Sequence, residues 1–256
     1  MKDNVEAQNK AFEVTYGADN SKHFDFNFTK DKLIRYIRDR RLNIALKYLY
    51  GKYSEAELKT WSVLIVCGGV GGEGVFFAKA GFKDVTTSDF SNNTITVANA
   101  HAPELKAMVL NAEAVDLPAN SYDLVVVQDG LHHLPRPVLG FTEMLRVAKK
   151  AIIVLEPYDS LVGNSIGTEW EVIGDAVNYV YRWNRKMVQQ AVKSYLLQEH
   201  DTIKVFRLWN HNTVIHKITK KFPVKFNLGI AKAIYSVLSL INFSGNAMVA
   251  VVTKKF

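Results

Sequence analysis

The sequence holds a single cysteine, Cys67, so no intrachain disulfide can form and the fold must stand on its packed core. One unpaired thiol fits a reducing compartment, and the chain is expected in the cytoplasm. The opening residues, MKDNVEAQNK, lack the apolar stretch of a secretory signal. There is no internal repeat and no low-complexity tract, which argues against solenoids and disordered scaffolds. Acidic residues become scarce toward the C-terminus. Residues 1–181 carry a net charge of −4 and residues 182–256 a net charge of +11, within a total of +7. A basic final third suits an anionic substrate, a nucleic acid or a membrane surface, and equally a solvated face with no specific partner.

What is present is ordinary globular material. The 256 residues are 48% hydrophobic and 22% charged, enough to bury a substantial core. From Trp61 onward short apolar runs alternate with helical periodicity. The pattern predicts a strand from Ser62 to Cys67 and helices over 72–81, 92–101 and 137–149. Further strands are predicted over 84–88, 106–110, 122–127 and 150–155. Strands buried on both faces and alternating with helices imply a doubly wound, mostly parallel sheet. Before this core, Thr29 is read as the cap of a helix over 30–50, with Asp31 in its first turn and Gly51 as its stop. Arg41 interrupts the apolar stripe of that helix. Residues 1–26 read as an irregular arm. After the core, Asn184 can cap a helix over 185–197, 202–208 and 247–253 read as strands, and 224–242 reads as an apolar helix. The chain thus divides into an arm and cap helix (1–59), a core (60–158), a substrate or lid region (159–243) and a final strand (244–256).

Four ordered segments bear on the ligand. VLIVCGGVGGEG (63–74) is a strand, a glycine turn and a helix start. Gly69 and Gly71 allow close backbone approach, and the helix aims its free N–H groups at whatever lies there. Such a loop alone also suits NAD or FAD, or no ligand at all. VTTSDFS (85–91) then places Asp89 18 residues beyond Gly71, where an acid can accept from ribose hydroxyls. Its alternative role is a helix cap, shared with Ser91. NAEAVDLP (111–118) and SYDLVVVQDGLHHLP (121–135) follow.

Together these segments resemble the class I S-adenosylmethionine-dependent methyltransferases, in particular the small-molecule branch with GDAEDLP- and LHHL-like motifs. The resemblance covers residues 60–157 well and the rest loosely. It implies a Rossmann-like seven-stranded sheet with its last strand reversed, a helical N-terminal cap and a lid insertion. It also implies S-adenosylmethionine as cofactor and S-adenosylhomocysteine as product. Carried over by position, Cys67, Gly68, Gly69 and Gly71 form the loop against the cofactor, and Asp89 takes the ribose. Phe90 packs on adenine, Glu113 accepts from the adenine amino group, and Ala114 offers its backbone N–H to the ring. Asp129 lines the methionine part. Two departures stand out. Ile65 replaces an acid that helps hold the cofactor's amino group, which shifts that load toward Asp129, and Cys67 replaces a glycine.

For catalysis, His132 and His133 follow the fourth strand at the ligand-binding edge, and Glu156 follows the fifth. Either histidine could deprotonate an acceptor hydroxyl, or brace the loop. A metal held by His132, His133 and Glu156 lacks confirming spacing, so none is expected. Cys67 ends a buried strand and is a poor nucleophile. Tyr158, Trp170, Tyr179, Tyr181 and Trp183 could stack on a substrate or belong to the core. The run 226–243 is apolar almost all round and suits a buried or lid helix, a substrate wall, a dimer contact or an interfacial anchor. The expectation is methylation of a small molecule, most simply at oxygen, with membrane-surface contact available to the basic third. Nucleic-acid methylation is disfavoured because no N/D-P-P-Y/F motif follows the fourth strand. A cofactor-binding protein without turnover is the remaining alternative.

Overall fold

The computed structural model of the chain describes residues 6, 7, 10, 27–173 and 176–255. The arm expected over 1–26 lies almost wholly outside the described residues. Helix α1 (Lys32–Tyr50) and the short α2 (Glu55–Leu58) lead into β1 (Ser62–Ile65). There follow α3 (Gly72–Lys79), β2 (Asp84–Asp89), α4 (Asn92–His101), β3 (Lys106–Val109) and β4 (Tyr122–Gln128). A 3-10 turn (Leu131–His133), α5 (Pro137–Val147) and β5 (Ala148–Pro157) complete the central part. Beyond it lie α6 (Leu161–Ile166), β6 (Trp170–Ile173), β7 (Ala176–Tyr179), α7 (Arg185–Leu196) and β8 (His200–Leu208). The chain continues through α8 (Asn212–Thr219), α9 (Val224–Ser239) and β9 (Ala247–Lys254).

Seven strands form one sheet in the order β3-β2-β1-β4-β5-β9-β8. The first five are parallel, and β9 runs antiparallel to both of its neighbours. The expected α/β fold with a reversed last strand is therefore present. Strand order turns around between β1 and β4, which opens a crevice at the carboxyl edge where such sheets bind ligands.

The two-residue period of the strands divides the core. Val63, Ile65, Val126, Ile153 and Val251 point to the side covered by Leu42, Leu46 and Leu49 of α1 and Phe77 of α3. Leu64, Val66, Val125, Ile152 and Val252 point to the side covered by Phe141 and Leu145 of α5 and Val188 and Val192 of α7. Both faces are dry, which explains why these strands read as unbroken apolar runs. Each such side chain contributes about 1.5–3 kcal/mol on burial.

Several boundaries differ from the sequence reading. Asp31, not Thr29, caps α1, accepting from Leu33 N–H and Ile34 N–H, while Thr29 Oγ1 accepts from Asp31 N–H. Helix α1 is unbroken at Arg41, whose side chain is buried and carries its charge to a partner described below. Helix α5 stops at Val147 and β5 starts at Ala148, because the strand extends along β4 through an irregular register. Strands β6 and β7 form an antiparallel hairpin apart from the main sheet, and Trp183 beyond it bridges to Tyr158. Helix α9 buries only Asn227, Ala231 and Tyr235, so it is not the buried helix its composition suggested. Among the described residues, no helix is long and apolar enough to cross a membrane.

Candidate cofactor and active site

The loop between β1 and α3 is built on left-handed backbone. Cys67, Gly69 and Gly71 have φ of 51°, 51° and 96°. Glycine takes these values freely, whereas Cys67 pays a strain of roughly 1–2 kcal/mol. Its neighbour explains how the side chain fits: a Cβ on Gly130 would come 2.5 Å from the Cβ of Cys67. The two loops after β1 and β4 therefore interlock. Burial, with Asp89 and Glu156 nearby, pushes the Cys67 thiol well up, so it is not a ready nucleophile. Gly71 caps α3 and donates to Gly68 O; it packs toward Leu105 and Thr87 rather than lining the cavity.

That cavity, ≈ 230 Å³, sits at the carboxyl ends of β1, β2 and β4. Asp89 ends β2 on its rim. One carboxylate oxygen accepts from Gly69 N–H at 3.1 Å and the other from Ser91 N–H at 3.1 Å. Ser91, not Asp89, caps α4, accepting from Thr94 N–H. Burial pushes the Asp89 carboxyl up, against the pull of the Ser91 and Gly69 N–H groups. Each oxygen retains acceptor capacity toward the cavity. Phe90, Leu110, Leu134 and Pro135 supply apolar wall, and Asn27 reaches in from ahead of α1.

Glu113 lines the far end. Arg136 holds it, donating from its backbone N–H and from its guanidinium at 3.0 Å. The N–H of Ala114 is not offered to the cavity as expected: it closes a turn onto Asn111 O at 3.0 Å. Gly68 lines the floor, tight against Thr87 and Ile65.

Asp129 sits just past β4 with φ of 52°. Its carboxylate is clamped by both guanidinium nitrogens of Arg41, one at 2.9 Å. Burial would raise its pKa, but the Arg41 charge and hydrogen bond outweigh that and hold it below the usual range. Arg41 was missed in the sequence because a charge within an apolar stripe reads as a defect. Its partner lies 88 residues away in the chain. Glu73 was missed as well. It stands in the first turn of α3, lines the cavity, and burial raises its pKa to about 7. A carboxyl directly behind the glycine loop was its visible signal.

The histidines occupy different settings. His132 is buried, and its Nδ1–H donates to Glu156 Oε2 at 2.7 Å. The other Glu156 oxygen accepts from Gly130 N–H at 2.9 Å and Leu131 N–H at 2.7 Å. Glu156 is fully buried and is committed to bracing this turn. Burial pulls the His132 pKa down, but Glu156 outweighs it and the imidazole is held above its ordinary value.

His133 is half-buried and faces two cavities. It lines the first, and also a second of ≈ 460 Å³ bounded by Arg41, Asp129, His132, Glu171, Arg182 and His211. Burial, then the neighbouring His132, hold it below the ordinary histidine value, so it is neutral near pH 7. Its Nδ1 lies 3.5 Å from Glu171 Oε2.

The metal set of His132, His133 and Glu156 does not assemble, because Glu156 is spent on the turn. Donor atoms of His132, His133 and Glu171 do lie within 4.8 Å of one another. Arg41 and Arg182 line the same cavity, a setting that opposes a bound cation. Of the aromatics, Trp183 is fully buried against Phe141, with ring centroids 5.1 Å apart. Trp170 and Tyr179 meet edge to face in the exposed hairpin, and Tyr158 lies under the Arg207 guanidinium.

Comparison with known proteins agrees with this architecture. Residues 65–154 match the profile of a methyltransferase domain family. A demethylmenaquinone methyltransferase from Renibacterium salmoninarum is 34% identical over 87 residues, 34% of this chain and 36% of that protein. The matched segment thus spans about a third of that relative. Phosphoethanolamine N-methyltransferase 2 of Haemonchus contortus, solved with phosphomonomethylethanolamine and S-adenosylhomocysteine, aligns with a TM-score of 0.61 and 16% identity. That alignment covers 96% of this chain and 60% of the other. Magnesium protoporphyrin IX methyltransferase from Synechocystis, solved with S-adenosylhomocysteine, gives 0.58 at 14% identity, covering 96% and 94%. At these identities the structural likeness is one of fold. Residues 65–154 thus match a methyltransferase domain family, and the sheet that carries them has the fold of these solved methyltransferases.

Proposed function

We propose that the chain transfers a methyl group from S-adenosylmethionine to the oxygen of a small molecule. The observation that carries the reading is the charge of the first cavity. Glu73, Asp89, Glu113 and Asp129 line it, and among the described residues no lysine or arginine does; Arg136 and Arg41 pair with Glu113 and Asp129 from outside the lining. Such a lining attracts a ligand bearing a sulfonium and an ammonium, and repels a pyrophosphate. Asp89 would take the ribose hydroxyls and Glu113, oriented by Arg136, the adenine amino group. Phe90 and Leu134 would flank the ring. Glu73 and Asp129 would share the ammonium, replacing the acid absent at Ile65.

When bound, the cofactor supplies an activated methyl carbon. The chain's own work is alignment and proton removal. An acceptor in the second cavity would approach past Asp129 and His133, which border both spaces. His133 would take the acceptor hydroxyl's proton on its neutral imidazole as the methyl group passed to the oxygen lone pair, the carbon–sulfur bond broke and the sulfonium left as the neutral thioether of S-adenosylhomocysteine. Glu171 then stabilises the imidazolium from 3.5 Å. His132 and Glu156 fix the turn that carries His133 and are positioning residues here.

The test is incubation with methyl-labelled S-adenosylmethionine and a panel of hydroxyl, amine and carboxylate acceptors. Label in a hydroxyl acceptor, with equimolar S-adenosylhomocysteine, is expected. Label only on nitrogen overturns the oxygen assignment. Tight cofactor binding with no transfer across the panel overturns catalysis in favour of a binding role.

A further inference from the structure

The C-terminal helices carry an apolar face on which none of the described residues packs. Helix α9 turns Ala231 and Tyr235 inward against Leu33 and Ile37 of α1. About a third of a turn round the helix, Phe226 and Val237 are exposed, at 53% and 64%. The exposed surface continues at both ends, through Phe222 before the helix and Val224 at its first residue, and through Leu240 and Phe243 after it. Sixteen helical residues make this strip about 24 Å long.

Charge decides what could cover it. Residues 202–256 contain nine lysines and arginines and no aspartate or glutamate. Lys217, Lys220, Lys221, Lys225 and Lys232 are all exposed, on and between α8 and α9. Lys225 and Lys232 border the strip about a third of a turn from Phe226 and Val237, at 100° per residue, and the Lys225 ammonium lies 5.0 Å from the centre of the Phe226 ring. An apolar strip bordered by lysines is the pattern of a helix lying in a membrane interface. A second copy is disfavoured, because a twofold contact would set these lysines against one another with no acid in the segment to pair them. No described helix crosses a bilayer, so the contact is with its surface.

We infer that α8 and α9 dock the protein on an anionic lipid surface, with Phe222, Phe226, Val237 and Leu240 entering the headgroup region and the lysines meeting lipid charge. The adjoining chain supports a working role for this placement. Asn210 and His211, just before α8, and Asn246, just after α9, border the second cavity. The docked face therefore frames that cavity, whatever reaction takes place in it.

The test uses the full chain and co-sedimentation with vesicles of phosphatidylcholine alone or mixed with an equal amount of phosphatidylglycerol. Partition into the mixed vesicles only, weakened by salt, is expected. The triple variant K220E/K221E/K225E is expected to lower partition by roughly 100-fold or more. The double variant V237S/L240S is expected to lower it by on the order of tenfold. All five altered side chains are at surface positions, so the melting temperature and circular dichroism should match wild type. Failure of wild type to bind the mixed vesicles overturns the proposal, as does full binding by V237S/L240S. A dimer in sedimentation velocity that V237S/L240S converts to monomer would assign the face to a second copy instead. None of these readouts depends on methyl transfer, so a failed acceptor screen leaves them independent.

Discussion

Replacing Asp89 by asparagine tests the cofactor reading at its most constrained side chain. The carboxylate accepts from Gly69 N–H and Ser91 N–H, one on each oxygen, both at 3.1 Å. Asparagine keeps one acceptor oxygen and turns its NH₂ toward the other backbone donor. One charge-assisted bond becomes a donor facing a donor, at a cost of about 1–3 kcal/mol in stability. For a chain of this size that is a melting-temperature loss of roughly 2–12 °C. The ribose hydroxyls lose a charged acceptor as well. A hydrogen bond to a charged group contributes about 1.5–3 kcal/mol, so cofactor affinity should fall roughly 10- to 150-fold. Calorimetric titration with S-adenosylhomocysteine, well below the melting transition, separates the two losses. Unchanged affinity in a folded Asp89→Asn protein would refute the ribose assignment.

The other expectations follow from the same geometry. His133→Ala should lower kcat by about 10²–10⁴-fold with little change in cofactor affinity; steady-state kinetics at saturating cofactor showing full turnover would remove it as the base. His132→Ala should instead cost about 1–3 kcal/mol in denaturant unfolding, because a buried Glu156 oxygen loses its donor. Glu73 is raised by burial from 4.5 to about 7, so the stability tied to its protonated form is complete below pH 4.5 and lost as pH rises through 7. Melting temperature across that window should flatten in Glu73→Gln. An ammonium bound beside Glu73 would favour its ionised form, so cofactor binding at pH 7 should release a proton. Equal binding heats in buffers of different ionisation enthalpy would contradict that.

The sheet was legible because its strands are buried on both faces: runs such as Leu124–Val127 and Ile152–Leu155 have no other use in a chain this size. Of the cavity acids, Asp89 was legible because its spacing from the glycine loop ties it to a strand end, and Glu113 because the resemblance to the methyltransferases implies an acid there. Arg41 was not, since its meaning depends on Asp129, a long-range partner that periodicity cannot see. Ala114 looked available because motif order says nothing of the turn that uses its N–H. His132 and His133 are adjacent in sequence and chemically alike, yet one is braced by Glu156 and the other faces both cavities. Only their surroundings separate them. Helix α9 shows the same limit, because apolar composition does not reveal which face is covered.

The central claim is that an acid-lined cavity takes a cationic nucleoside. Direct titration of the purified chain with S-adenosylmethionine, S-adenosylhomocysteine and NAD tests it most simply. Saturable one-to-one binding of the first two, weakened together by roughly 10- to 150-fold on Asp89→Asn, and no binding of NAD are expected. Binding of NAD in competition with S-adenosylhomocysteine, or no binding of either methyl-cycle nucleoside, would contradict it.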